Sequence, residues 1–345
     1  MSDSLVVKPG AIVVVSGANG NIASHIVDQL LAFGYRVRGT VRNKEKNAWL
    51  ISQFGAKYGT DKIELCEVPD MATPGAFDEA VKGASGFIHT ATSVMESADP
   101  KVAVPMAIDG TLNVLISAAK EPGMKRVVIT SSSGAATAPK PNVKFHIDEN
   151  TWNEEAVKAA WAPPKEPYNE IERRVDVYFA SKTQSEQAAW AFVKEHKPPF
   201  VLNSVLPNCN FGPIINSEHQ SYHSTLGWLK ACWEGFEGQE EVKLMDPQYH
   251  INIIDDAQVH VAALIYEDVK GERLFAFEKP FNWNSVLAIM RKLAPKREFV
   301  SDLEGLGQDM STVSNERAEE LLKRLTGHGW SNLETSVKQA IAGFP

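Results

Sequence analysis

One alternation governs most of the chain and restricts its fold more than any single residue does. A short β-branched run is followed by a longer stretch of helical spacing, again and again from Ala11 to Asn208. AIVVVSG reads as a buried strand, NIASHIVDQLLAFG as a helix ended by Gly34, YRVRGTV as a strand and KNAWLISQFGAKYG as a helix. KIELCEV, GFIHTAT, RVVITSSS and PFVLNSVLPN continue the strands; AFDEAVKG, VAVPMAIDGTLNVLISAAKE and DVYFASKTQSEQAAWAFVKEH continue the helices. Strands separated by helices at this spacing are joined by right-handed crossovers. The expected fold is therefore α/β, with a doubly wound parallel sheet.

The rhythm fails twice. From about Gly134 to Val175, prolines and acidic residues replace periodicity; after Pro207 it fails again, apart from YHINIIDDAQVHVAALIYE, where a strand runs into a helix. The tail, RAEELLKRLTGHGWSNLETSVKQAIAGF, reads as two short helices around a glycine-rich turn. A chain of 345 residues has room for a large α/β domain and an appended lobe. The expected division is a sheet domain over 8–207, with 250–270 returning to it, and a smaller C-terminal substrate lobe over 208–249 and 271–345.

A net charge of −8 works against nucleic-acid binding and turns attention to a small-molecule site. The opening MSDSLVVKPG lacks a basic region and AIVVV is too short to span a bilayer, so no membrane partner is expected. Cys66, Cys209 and Cys232 are odd in number and scattered, which fits a reducing compartment; a cytoplasmic location is the expectation. His219 and His223 have helical spacing but no third ligand near them, so no metal is expected.

Between the first strand and the first helix stands Gly17-Ala18-Asn19-Gly20-Asn21-Ile22-Ala23. Such a turn gathers backbone N–H groups and the positive end of a helix at one spot, which suits a phosphate. Gly17 allows the tight turn, Gly20 lets a pyrophosphate approach the backbone, and Ala23 keeps the helix close to the strand; Asn19, Asn21 and Ile22 complete the contact surface. On the first strand of a doubly wound sheet this means dinucleotide binding. The second strand ends without the Asp or Glu that would accept from an NAD ribose. It offers Arg42 instead, with Lys44 or Lys46 nearby, as partners for a 2′-phosphate, so NADP(H) is the expected cofactor. Asp70, beside Met71, is placed either to accept from the adenine amino group or to serve as an ordinary turn aspartate.

Hydride transfer to a carbonyl needs a proton donor and a group that polarises the oxygen. Tyr178 and Lys182, one helical turn apart, supply a phenol and an ammonium that would lower its pKa toward neutrality. The same spacing recurs at Tyr58 with Lys62 and Tyr266 with Lys270, but only Tyr178 lies early on a long helix after a strand ending in hydroxyls. That strand end, Thr130-Ser131-Ser132-Ser133, sits where open α/β sheets bind ligands.

In their order, SGANGNIA, TVRNK, HTAT, GTLNVL, TSSSG, YFASK and LPNCNFGP resemble the extended short-chain dehydrogenase/reductase family over nearly the whole chain, and most of all its fungal NADPH-dependent aldehyde and carbonyl reductases. The resemblance implies a Rossmann sheet and a Ser–Tyr–Lys triad falling on Ser132, Tyr178 and Lys182, with Ser131 and Ser133 as competitors for the first place. It further implies that Lys182 binds the nicotinamide ribose, that Thr90, Ala91, Thr92, Pro207 and Asn208 flank the cofactor, and that Asn113 supports the site. Substrate contacts would come from Val94, Met95, Pro207, Trp228, Gln248 and Tyr249, mostly apolar and without a charged clamp, which favours a neutral hydrophobic aldehyde or ketone. Other chemistry on the same fold, an epimerase, dehydratase or hydroxysteroid dehydrogenase, is the competing reading, and a non-catalytic NADP-sensing regulator is a third. A monomer or a homodimer is compatible with the sequence.

Overall fold

The computed structural model describes residues 4–92, 97–164 and 166–344. In chain order the elements are β1 (Ile12–Ser16), α1 (Asn21–Ala32), β2 (Arg36–Val41), α2 (Trp49–Tyr58), β3 (Ile63–Glu67), β4 (Ala84–His89), α3 (Pro100–Lys120) and β5 (Arg126–Thr130). There follow β6 (His146–Ile147), α4 (Glu154–Trp161), α5 (Glu170–His196), β7 (Val201–Pro207), β8 (Cys209–Phe211), α6 (Ser224–Trp233), β9 (Gln248–Asn252) and α7 (Ile253–Ile265). The chain closes with β10 (Arg273–Ala276), β11 (Lys279–Phe281), α8 (Trp283–Leu293), β12 (Thr312–Val313), α9 (Glu316–Thr326) and α10 (Leu333–Ile341).

The main sheet runs in the order β3-β2-β1-β4-β5-β7-β10. The pairs from β3 through β7 are all parallel, with Ser16 beside His89 and Thr130 beside Val205 at the carboxyl ends. The strand order reverses between β1 and β4, which is where a doubly wound sheet opens a crevice for ligands. Val13, Val14, Val15, Phe87, Ile88, Val127 and Val128 are fully buried, which is why these strands read as unbroken apolar runs.

Two compact units emerge. The first is Met1–Ala138, Thr151–Leu206 and His260–Leu274; the second is Pro139–Asn150, Pro207–Val259 and Phe275–Pro345. The segment expected to return at 250–270 thus joins the first unit at His260, and residues 139–150 fall in the second unit. In that unit β11, β9 and β8 form a small sheet, and Phe211, Leu229, Phe236, Trp283 and Leu287 are buried in one cluster. The indole of Trp283 donates to Val242 O at 2.7 Å.

Two local expectations need correction. AFDEAVKG is a series of turns, not a helix: Ala76 N bonds Thr73 O and Asp78 N bonds Gly75 O, three-residue steps bounded by Gly75 and Gly83, both at positive φ. Its pattern was an honest report of burial, since Phe77, Ala80 and Val81 are all inside, but the stretch between the two glycines is too short to sustain a helical ladder. In the Pro-rich stretch, α5 begins at Glu170 rather than near Asp176, because the Asn169 side chain accepts from Ile171 N and Glu172 N and caps it there.

Candidate active site

The glycine turn lies at the switch point of the sheet. Gly17 has φ +63°, and a Cβ on it would press to 3.3 Å from Ala91. Gly20 N bonds Gly17 O at 2.8 Å, and Ser24 N then opens the α1 ladder on Gly20 O at 2.9 Å. Gly20 is the N-cap of α1 and brings no side chain to it, and the first turn holds no acidic residue. Asn19 and Gly20 are exposed, with Asn21 and Ile22 half-buried behind them. A helix start with a glycine cap and no carboxylate of its own is a place where a phosphate can bind, so the residues present fit a dinucleotide.

One supporting glycine was not singled out in the sequence. A Cβ on Gly39 in β2 would lie 2.7 Å from the Ala18 Cβ, so the turn can settle over β2 only because Gly39 has no side chain. An isolated glycine inside a strand is the signal for such a close approach. Gly39→Val is expected to cost about 1–3 kcal/mol by overpacking and to weaken NADPH binding, read by melting temperature and by fluorescence titration.

The ends of β1 and β4 are locked together by Ser16. Its Oγ accepts from Thr90 N and Ala91 N, each at 3.0 Å, and stands 2.8 Å from His89 Nδ1. With both lone pairs engaged, the hydroxyl has only its hydrogen left to give, which makes Nδ1 the acceptor and places the ring hydrogen on Nε2. Burial and the neighbouring Lys182 push His89 down to about 3, so it stays neutral. Thr90, Ala91 and Thr92 are half-buried beyond it; Val94 and Met95 lie outside the described residues.

Arg42 and Lys46 are exposed just beyond β2. Asp70 takes the role of a turn aspartate: its carboxylate accepts from Ala72 N at 2.9 Å and from Thr73 Oγ1 at 3.0 Å. Asn113 of α3 supports this loop, donating to Met71 O at 3.0 Å and Thr73 O at 3.1 Å.

The hydroxyl run after β5 is sorted by its partners. Ser131 Oγ donates to Glu186 Oε2 at 2.7 Å, whereas Ser132 Oγ accepts from Gly134 N at 3.1 Å and eases ionisation of the Tyr178 phenol. Ser133 begins a single 3₁₀ turn, Ser133–Ala135. Gly134 is obligatory, because a Cβ there would collide with the ring of Phe179, the neighbour of Tyr178. Lys182 is buried, donates from Nζ to Thr130 O at 2.8 Å, and is pulled down to about 8 by burial, against the upward pull of Glu186. The phenol differs from expectation: burial raises the Tyr178 pKa above its ordinary value, and the opposing influence is Ser132.

The two other Tyr/Lys pairs have other duties. Tyr58 ends α2 and donates to Asp28 Oδ1 at 2.8 Å; Tyr266 is buried after α7, where its carbonyl accepts from Arg126 at 3.0 Å.

In the second unit Tyr249 and Gln248 are buried on β9. Tyr249 donates to Ser311 O at 2.9 Å and packs on Phe277, Gln248 Nε2 reaches Asp246 O at 3.3 Å, and Trp228 is half-buried against the apolar cluster. For these three the geometry of that unit shows packing. Pro207 is buried, and Asn208 Oδ1 accepts from Cys209 N at 2.8 Å. His219 and His223 are exposed, and among the described residues no group of three or more His, Cys, Asp or Glu is placed to hold a metal ion.

Unforeseen in the sequence is the buried carboxylate of Glu186. It accepts from Ser131 and Ser204, each at 2.7 Å, and from Arg273 Nε at 2.9 Å. The Arg273 guanidinium lies 3.8 Å from the centroid of Trp152.

A phosphate-binding turn at the switch point, with a phenol, a serine and an ammonium gathered at a strand end of the same sheet, defines a dinucleotide-binding protein equipped to move a proton. Known proteins agree. Residues 17–178 match the NAD(P)H-binding family. The chain is 42% identical over 341 residues to aldehyde reductase 2 of Sporidiobolus salmonicolor, covering 98% of this chain and 97% of that one. It is 37% identical over 338 residues to the NAD-dependent epimerase/dehydratase terH of Aspergillus terreus, covering 98% of each. The crystal structure of Gre2 in complex with NADPH from Candida albicans matches with a TM-score of 0.80 at 28% identity, over 96% of this chain and 98% of that one. The chain belongs to the extended short-chain dehydrogenase/reductase family and is an NAD(P)H-binding oxidoreductase.

Proposed function

We propose that the protein reduces neutral, apolar aldehydes and ketones to alcohols with NADPH, Tyr178 giving the proton. The observation that carries this reading is the bond from Lys182 Nζ to Thr130 O at 2.8 Å, which ties the helix that carries Tyr178 to the strand end that leads into Ser132. The bound dinucleotide supplies the hydride. Ser132 holds the carbonyl oxygen and polarises it. Tyr178, neutral because burial keeps its pKa high, delivers its proton as negative charge develops there. Lys182, charged below about pH 8, favours the phenolate that remains.

The choice of NADPH rests on Arg42, exposed just past β2 where an NAD-binding chain would carry a carboxylate. The carbonyl substrate class rests on likeness to an aldehyde reductase.

The test follows NADPH absorbance, with NADH in parallel, against aromatic and aliphatic aldehydes, ketones and β-keto esters. Preferential consumption of NADPH is expected. Binding of NADPH with no consumption of either cofactor across the panel would sink the reading and favour chemistry without net redox change, in keeping with the relative named as an epimerase/dehydratase. Arg42→Ala is expected to reduce the preference for NADPH over NADH by about 10- to 100-fold, the worth of one charge-assisted phosphate contact, with kcat for NADPH nearly unchanged.

A further inference from the structure

We propose that Glu186 is a positioning residue for the reduction: its buried carboxylate, one helical turn beyond Lys182, holds the end of β5 in the register that presents Ser132 to the site of Tyr178 and Lys182. The proposal rests on the reading of Ser132, Tyr178 and Lys182 given above.

The end of β5 is gripped at two successive residues from one face of α5. Lys182 takes the carbonyl of Thr130 at 2.8 Å, and Glu186, one turn later, takes the hydroxyl of Ser131 at 2.7 Å. Ser132 comes next in the chain, extended at φ −162° and ψ 153°, so its place is fixed by the clamp immediately before it. The clamp is itself rigid. Glu186 Oε1 accepts from Ser204 of β7 at 2.7 Å, from Arg273 Nε at 2.9 Å and from the Trp190 indole at 3.2 Å, while Oε2 accepts from Arg273 Nη2 at 3.2 Å as well as from Ser131. Arg273 also donates to Thr151 O at 2.9 Å and stacks on Trp152. Two side chains of one helix, with an arginine from β10 behind them, thus determine where a strand end stops.

Structural ion pairs are common in cores, and a pair far from the chemistry would need no further explanation. This one borders the same small cavity as Lys182, Thr130 and Ser131. Among the described residues, the titratable groups that act on or border Lys182 are Glu186 on its own helix and His89 on β4; β5 offers carbonyls and hydroxyls, and α3 offers Thr111. His89 is neutral throughout the working range, which leaves Glu186 as the group that holds the Lys182 ammonium charged.

The test uses the full chain and two variants. Glu186→Gln keeps the shape but removes the charge. It is expected to move the basic limb of the kcat/KM profile for carbonyl reduction down by about one pH unit, because Lys182 loses the neighbour that favours its charged form. Ser131→Ala leaves the buried ion pair intact and cuts only its link to β5; kcat is expected to fall about tenfold, the scale of a small misplacement of a catalytic group, with NADPH affinity within about twofold. A purely structural role would lower the melting temperature without moving the limb. An unshifted limb in Glu186→Gln together with full turnover in Ser131→Ala overturns the proposal. Should Glu186→Gln fail to fold, Ser131→Ala decides alone, with unchanged kcat against the proposal and a loss in its favour. Tyr178→Phe runs alongside: if that variant stays active, the functional reading has failed, whereas an inactive Tyr178→Phe beside unaffected Glu186→Gln and Ser131→Ala condemns only the role of Glu186.

Discussion

Tyr178→Phe is expected to lower kcat for carbonyl reduction by about 10³-fold, inside the range of roughly 10²–10⁴ that a positioned general acid contributes, while NADPH binding and folding persist. The ring stays, and with it the packing on Phe179 at 5.9 Å between centroids; only the phenolic hydroxyl goes. Hydrogen removal at this oxygen also gives the pH dependence its sign. The Tyr178 pKa is raised by burial and that of Lys182 is lowered to about 8, so at neutral pH the phenol is protonated and the ammonium charged. Reduction consumes the phenolic proton and should be level below about pH 8 and fall above it, as Lys182 loses its charge. Alcohol oxidation by the same site needs the phenolate and should instead rise with pH. Steady-state rates in both directions, with melting temperature and cofactor titration for the variant, decide the matter: a folded Tyr178→Phe protein that keeps more than about a tenth of parental turnover is incompatible with Tyr178 as the acid.

Much of this arrangement is legible in the chain because buried parallel strands leave a strong trace. Val13 to Val15 and Val127 to Ile129 are covered on both faces, so neither run is broken by polar residues, and each strand's carboxyl end can be located to within a residue or two. The glycine turn follows from the first of these, and the hydroxyls from the second. Three kinds of feature stayed hidden. A stack of turns and a helix can bury the same side chains, which is how Phe77, Ala80 and Val81 came to suggest a helix that is not there. Asp70 was open to two readings because a short carboxylate two residues before a backbone N–H closes a turn as readily as it meets a ligand. Arg273 lies 87 positions from the Glu186 it pairs with, and no local spacing connects them. Glu186 itself, four residues beyond Lys182, was within reach of helical periodicity, but i,i+4 pairs of opposite charge are ordinary on helix surfaces, and only burial distinguishes this one.

The three consecutive serines show where sequence and structure divide most sharply. Composition cannot rank Ser131, Ser132 and Ser133, since each carries the same hydroxyl at the same strand end. Their directions differ because successive side chains of an extended backbone point different ways. Ser131 turns to Glu186 at 2.7 Å, Ser132 to Tyr178, and Ser133 starts the 3₁₀ turn whose carbonyl accepts from Ala136 and Thr137 at 2.9 Å. Three alanine substitutions should therefore separate by magnitude. Ser132→Ala removes the hydroxyl proposed to polarise the carbonyl and is expected to cost about 10²–10³ in kcat, as loss of one such donor does elsewhere. Because Ser132 also opposes the effect of burial on Tyr178, its loss should leave the phenol harder to ionise, while the basic limb of reduction, set by Lys182 near pH 8, stays in place and the maximum falls. Ser131→Ala should lie between, and Ser133→Ala should keep kcat within about threefold, too small a change for a group that meets the reacting oxygen. Equal losses at all three positions would mean that the variants disturb the turn as a whole, and a larger loss at Ser133 than at Ser132 would move the polarising hydroxyl to Ser133. The predicted order holds only if each side chain keeps the partner it has here, which makes the series a direct test of the path from backbone direction to proton transfer.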